Sequence, residues 1–244
     1  MPLPTRKSAF LRHARLVAAH HRTRSSDRNL ATILAGVAGC ANAGGFIMLG
    51  GYTSHMTGYL SQVADNIVLQ NLHLVVQSVY ALAMFVFGSA FSAIAINWAR
   101  QHQHRRQYAL PIGLQGGMFL CLAALGPTHT APVFVNYLGL GLLCFIMGFQ
   151  NATITKISSA RTRTTHATGM ITDLGIELGK AIYGFGSRSA TISADRGKAL
   201  LLLQLVLVFL TGGIVGAVGY GMIGYYFSLP LAFIMLAVAF PARR

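Results

Sequence analysis

Thr53-Ser54-His55-Met56-Thr57-Gly58 and Thr164-Thr165-His166-Ala167-Thr168-Gly169 carry one phrase, His-x-Thr-Gly, twice in the same chain, 111 residues apart from 55 to 166. An Asn-Ala pair near the end of an apolar run precedes each copy: Asn42-Ala43 before the first, Asn151-Ala152 before the second. An acid follows each within a modestly amphipathic stretch, Asp65 in one case and Asp173 in the other. Four residues recur by chance. The ordered set of Asn-Ala, His-x-Thr-Gly and acid in each half reads as an internal repeat.

Outward from these motifs the chain is apolar. Of 244 residues, 54% are hydrophobic and only 10% charged, with a mean hydropathy of +0.56, which sets it apart from ordinary soluble domains. Nineteen Lys and Arg face five acids, a formal charge of +14. In a soluble protein that balance would point to nucleic acid. Here runs long enough to cross a bilayer make a membrane the expected partner, and nucleic acid is not expected. Cys40, Cys121 and Cys144 lie inside apolar runs without metal or redox spacing, and read as small packing residues.

Six apolar runs serve as crossings: 30–52, 74–98, 108–125, 132–155, 199–218 and 222–240. Runs of about 20 residues match a hydrocarbon core of about 30 Å. Glycines interrupt the first run heavily, and Gly212, Gly216 and Gly219 give the fifth a small-residue pattern suited to tight helix packing. Gly88 and Ser92 share a face of the second, and Trp98 with Arg100 marks its interfacial end. The stretches 57–72 and 168–185, directly after each motif, are too polar for confident spans. They read as amphipathic interfacial segments or as re-entrant ones. Residues 1–29 form a basic arm without the apolar core of a secretory signal, expected to touch anionic lipid headgroups in the cytoplasm. Residues 30–244 form one transmembrane domain.

Charge sets the count. With six crossings and a cytoplasmic N-terminus, the inside segments 1–29, 100–107 and 156–198 and the C-terminal tail hold seven, three, seven and two Lys/Arg, all nineteen. The outside segments hold none. Counting both ambiguous stretches as crossings would move Arg100, Arg105, Arg106, Lys156, Arg161 and Arg163 outside, against the positive-inside rule. The expected fold is therefore all-α, six transmembrane helices with both termini cytoplasmic. An odd number of crossings per repeat makes the halves, about 30–127 and 132–240, inverted repeats, a plan common among secondary transporters.

The Asn-Ala to His-x-Thr-Gly unit, the stretch Met147-Gly148-Phe149-Gln150-Asn151-Ala152 and the stretch from Thr165 to Gly175 resemble the pattern of the YoaK-like family over roughly 30–240. That resemblance implies a bacterial inner-membrane protein with about six helices, and brings no substrate or reaction. The family often has an acid before the first Ala and Asn after the first Thr-Gly, where this chain has Asn42 and Tyr59.

Asn42, His55, Thr57, Gly58, Asp65, Asn151, His166, Thr168, Gly169 and Asp173 are the expected substrate or ion pathway. A titratable His at membrane depth is costly and usually functional. The structural reading is that Thr57 and Thr168 are N-caps, that each His satisfies a helix end, and that Asn42, Gln150 and Asn151 hydrogen-bond between helices. Glu177 with Lys180 reads as a surface pair. There is no Ser/His/Asp arrangement, H-E-x-x-H or Gly-rich phosphate loop, so no catalytic residues, no metal and no cofactor are expected. A small transporter for a polar or anionic solute, proton-coupled through the histidines, fits best. The alternative is a membrane scaffold or assembly factor, and a channel or membrane enzyme fits less well. A homo-oligomer stays open.

The segregation of Lys and Arg has a direct test. In a cysteine-free background, single cysteines at Ser54, Thr128 and Gly221 should react with an impermeant thiol reagent from outside. Cysteines at Gln103, Ser159 and Ala242 should react only after permeabilisation. Outside reaction at Ser159 would rule out the six-crossing count.

Overall fold

The computed structural model describes residues 24–102, 108–126, 133–157, 167–186 and 193–240. These residues form helices α1 Arg24–Leu49, α2 Met56–Val68, α3 Leu72–His102, α4 Ala109–Ala123, α5 Val133–Ile157, α6 Ala167–Gly186, α7 Arg196–Ile223 and α8 Ser228–Ala239, with a 3-10 turn at Gly224–Phe227 before α8. His166 and the basic arm before residue 24 lie outside the described residues.

Backbone chemistry sets the helix ends. Gly50, at φ +71, stops α1 three residues short of the expected end. Gly224, at φ +59 and ψ −146, closes α7, so the last helix begins at Ser228 rather than at Met222. Asp195 caps α7, its carboxylate accepting from the Lys198 amide at 2.9 Å.

Glycine decides which helices lie side by side. A Cβ placed on Gly39 of α1 would sit 2.1 Å from the Phe209 carbonyl oxygen of α7, and one on Gly148 of α5 would sit 2.0 Å from the Phe85 carbonyl oxygen of α3. The return contacts match: a Cβ on Gly212 would sit 2.3 Å from the Gly36 oxygen, and one on Gly88 2.0 Å from the Phe145 oxygen. No side chain fits at these four glycines, so the backbones pack directly there. Gly39 and Gly148 each lie three residues before an Asn-Ala pair (39 to 42, 148 to 151), and Gly88 and Gly212 each lie three residues after a Phe (85 to 88, 209 to 212). The two seams use the same residues in the same order.

Contact order gives the helix directions. Gly36 meets Gly212, Cys40 meets Gly216 and Gly44 meets Tyr220, so α1 and α7 run parallel. Tyr80 meets Gly141, Gly88 meets Phe145, and Ser92 shares a hydrogen bond with Thr153 at 2.8 Å, so α3 and α5 also run parallel. Gly113 meets Phe240 while Gly116 meets Leu236 and Ala232, so α4 and α8 are antiparallel. A buried amide chain joins three helices: Gln115 of α4 donates to Gln150 of α5, which donates to the Leu34 carbonyl of α1 at 2.7 Å.

The polarity is turned inside out relative to a soluble domain. Ser78, Ser92, Gln115, Gln150, Thr153 and Ser228 are buried, while Phe87, Ile94, Leu207 and Ile214 face outward. Four segments, Arg28–Leu49, Leu72–His102, Val133–Lys156 and Arg196–Ala239, are long and apolar enough to cross a membrane. The last of these runs through the break at Gly224, beyond which α8 lies against α4. At 15 and 12 residues, α4 and α8 are shorter than the expected crossings at 108–125 and 222–240.

Gly39→Ala and Gly148→Ala each place a methyl against a carbonyl oxygen and should cost about 1–3 kcal/mol. Gly117→Ala, where nothing lies within 4 Å, should leave the melting temperature unchanged or raise it through helix propensity. Equal melting temperatures for all three variants in detergent would contradict the close packing.

Candidate functional site

Helices α2 and α6 begin at one place. A cavity of about 320 Å³ lies between the two glycine seams, and its wall includes the α2 entry (Ser54, His55, Met56, Thr57) and the α6 entry (Ala167, Thr168). The rest of the wall is Asn42, Tyr52, Phe85, Asn151 and Phe209. Phe85 and Phe209 both sit thirteen residues into their helices (72 to 85, 196 to 209), close to mid-length in α3 and α7. The wall is therefore built in pairs: Asn42 with Asn151, Phe85 with Phe209, Thr57 with Thr168, Met56 with Ala167.

Local bonding explains how the first entry is held. The Asn42 side-chain oxygen accepts from the Ser54 amide at 3.0 Å and from the Ser54 hydroxyl at 2.8 Å, tying the turn before α2 to α1. His55 is the N-cap residue of α2 without a side-chain capping bond, and its ring lies on Gly58, where a Cβ would meet the imidazole at 2.7 Å. Thr57 is thus inside the helix, not its cap, and Thr168 likewise falls in the first turn of α6. The capping role expected of both threonines is corrected: their helices start one residue earlier, and Thr57 is exposed toward the cavity.

The remaining expected residues divide. Asn42, His55, Thr57, Asn151 and Thr168 line the cavity; Gly58 lies behind His55, and Gly169 is not part of the wall. Asp65 is exposed nine residues beyond Met56 (56 to 65), and among the described residues it forms no ion pair. Asp173 pairs with Lys198 at 3.3 Å. Neither Asp65 nor Asp173 is among the described residues that line the cavity. The sequence motifs did not single out Phe85, Phe209 or Tyr52. The signal for the two Phe residues was present in their matched spacing to Gly88 and Gly212.

The stretch after the second motif faces the opposite way from a water-surface helix. In α6, Ile171, Leu178 and Ile182 point outward, Ile182 being 65% exposed, whereas Glu177 is only 2% exposed. A helix that turns its apolar side out and its acid in matches a lipid surround. In α2, Leu60 and Ile67 point outward and Asn66 is buried, but Gln62 and Asp65 are exposed as well. Glu177 is correspondingly not the surface residue its spacing from Lys180 implied. Its carboxylate accepts from the Asp195 amide at 2.9 Å and from Lys180 at 3.0 Å, with Lys198 at 3.7 Å, locking α6 to the start of α7. The matching position in α2 is Asn66 (66 to 177 is again 111), and Gln62 there accepts from the Ser78 hydroxyl at 3.2 Å. Amides do at the end without cations what carboxylates and lysines do at the other.

Apolar helices with buried polar contacts, two of them opening onto a shared cavity, define a membrane-embedded helical protein. The chain belongs to the family described as "Protein of unknown function (DUF1275)", which matches residues 30–240. This is the range over which the YoaK-like resemblance runs. No curated protein and no solved structure matches it.

The Asp195 amide first, and then Lys180 and Lys198, hold the Glu177 carboxyl below its ordinary pKa of 4.5. A depressed folded value contributes stability above the unfolded pKa, and that contribution disappears as pH falls through the folded one. The melting-temperature gap between the native protein and Glu177→Gln should therefore be full at pH 7 and should narrow once the pH drops below about 4.3. A gap of the same size at pH 3.5 and pH 7 would contradict the ion-paired geometry.

Proposed function

We propose that the protein is a small secondary transporter of the bacterial inner membrane, carrying a small polar or anionic solute through the cavity between Asn42 and Asn151. The single observation behind this reading is the paired wall: matched residues from the two halves meet at the starts of α2 and α6. Two inverted repeats, 30–127 and 132–240, account for the matching glycine seams, for the two parallel helix pairs and for a self-paired antiparallel α4/α8. On this reading α4 and α8 also cross, making six, and both termini lie in the cytoplasm with the Lys/Arg-rich segments.

Wall chemistry supports the solute class. The starts of α2 and α6 face the cavity with the positive ends of their dipoles, and among the described residues no acid lines it. Asn, Ser and Thr side chains offer hydrogen bonds, and Phe85 and Phe209 supply apolar sides. Proton coupling, on this reading, runs through the histidines, of which His55 stands in the wall, and not through Asp65 or Asp173. Ser54 spends its hydroxyl on Asn42, and among the described residues no carboxylate lines the wall beside His55, so hydrolytic chemistry has no activated nucleophile here. A scaffold would need no paired polar cavity. The partners implied are the solute and anionic lipid at the basic face.

Flux in proteoliposomes tests the reading, using a panel of small polar and anionic solutes first sorted by thermal stabilisation of the protein. The native protein should move at least one of them saturably. Thr168→Trp, which fills the cavity, should cut that flux by about tenfold or more while keeping the native elution profile, equivalent to losing about 1.4 kcal/mol of binding. Undiminished flux in Thr168→Trp, or no movement across the panel, would rule out this cavity as the transport site.

A further inference from the structure

A second cavity, of about 360 Å³, lies on the far side of the connector between α1 and α2. Leu49, Tyr59, Gln62, Leu74 and Gln77 contribute to its wall, which among the described residues holds no Lys, Arg, Asp or Glu. It sits at the molecular end where segment 53–73 carries no Lys or Arg. Among the described residues, Tyr52 and His55 are the two that belong both to this wall and to that of the central cavity. Both therefore stand where the two spaces adjoin.

Those two side chains are held by contacts that can be exchanged. Tyr52 is about half exposed and stacks on Phe46, with centroids 4.7 Å apart and planes 15° from parallel. His55 rests on the bare backbone of Gly58. The connector between them starts at Gly50, a left-handed residue with open space around its Cα. Thr53 is fully buried against Gly45, yet its hydroxyl finds no partner among the described residues. A buried, unpaired hydroxyl is costly, which favours a second connector arrangement in which it is bonded.

We propose that the second cavity is an outer vestibule that first receives the solute, and that Tyr52 and His55 form the gate between it and the central cavity. The vestibule's amide and phenol groups suit a small hydrogen-bonding solute, admitted from the cation-free end of the molecule. The proposal rests on the central cavity's being the solute site, but its test reads water access and not flux.

Single cysteines at Gln77 (vestibule) and Thr168 (central cavity), in a chain lacking Cys40, Cys121 and Cys144, are exposed to an impermeant methanethiosulfonate in right-side-out vesicles. Gln77→Cys should react quickly whatever residue stands at 52. Thr168→Cys should react about tenfold more slowly, in proportion to the open fraction of the gate, and Tyr52→Ala or His55→Ala should remove most of that difference. Two gate variants guard against one that fails to fold, judged by elution profile. Equal rates at both reporters with Tyr52 and His55 present would overturn the gate. So would a slow Thr168→Cys that neither variant accelerates, or a Gln77→Cys that reacts only in inside-out vesicles. A working gate without flux in proteoliposomes would refute the transporter reading and leave the vestibule and gate standing.

Discussion

The structure depends on backbone meeting backbone without side chains between. Gly39 against the Phe209 carbonyl and Gly148 against the Phe85 carbonyl bring α1 onto α7 and α5 onto α3. In lipid there is no hydrophobic gain in burying one apolar helix against another, so close packing and internal hydrogen bonds have to hold the helices together. Both seams supply the first, and the Gln115–Gln150–Leu34 chain and the Ser92–Thr153 pair supply the second. Once the seams are closed, the gap left between them is the cavity, and Phe85 and Phe209 are in its wall because their carbonyls are in the seams.

The same constraint explains where α2 and α6 begin. The first residues of any helix leave amide groups unbonded, and in hydrocarbon these need protein or a polar space beside them. α2 and α6 both open onto the polar space between the seams, with Asn42 fixing the turn before α2. Near mid-helix they are tied down differently. α6 uses Glu177 with Lys180, Lys198 and the Asp195 amide, and α2 uses Gln62 with Ser78. Charge supply makes sense of that difference: segment 53–73 carries no Lys or Arg, so a buried carboxylate there would stand unpaired, and an amide serves instead.

Much of this was legible in the sequence, because the constraints act on residue types. Apolar run lengths marked α1, α3, α4, α5 and α7, though α1 starts at Arg24 and not at residue 30 and α7 ends at Ile223 and not at residue 218. The repeated His-x-Thr-Gly and Asn-Ala marked residues of the cavity wall. The small-residue pattern at Gly212 and Gly216 marked one seam. Other features turn on direction, which composition does not encode. Asp65 and Asp173 follow the motifs in sequence, but α2 and α6 carry them away from the cavity. Glu177 at three residues from Lys180 looks like a surface pair in any helix, and only the packing of α6 on the start of α7 buries it. Gly224 looked like one more glycine in an apolar run, and its left-handed backbone is what shortens the last helix. Phe85 and Phe209 were hidden because an aromatic in an apolar span is ordinary until its partner across the seam is known.

The central claim is that the starts of α2 and α6, far apart in sequence, meet at one cavity. Chemical cross-linking between Thr57→Cys and Thr168→Cys, in a chain otherwise free of cysteine, tests it most directly. A short bifunctional thiol reagent should bridge this pair within one chain, whereas Val68→Cys with Thr168→Cys, which places one thiol at the far end of α2, should stay unbridged. Bridging of the Val68 pair as readily as the Thr57 pair, or of neither, would contradict a shared cavity at the starts of α2 and α6.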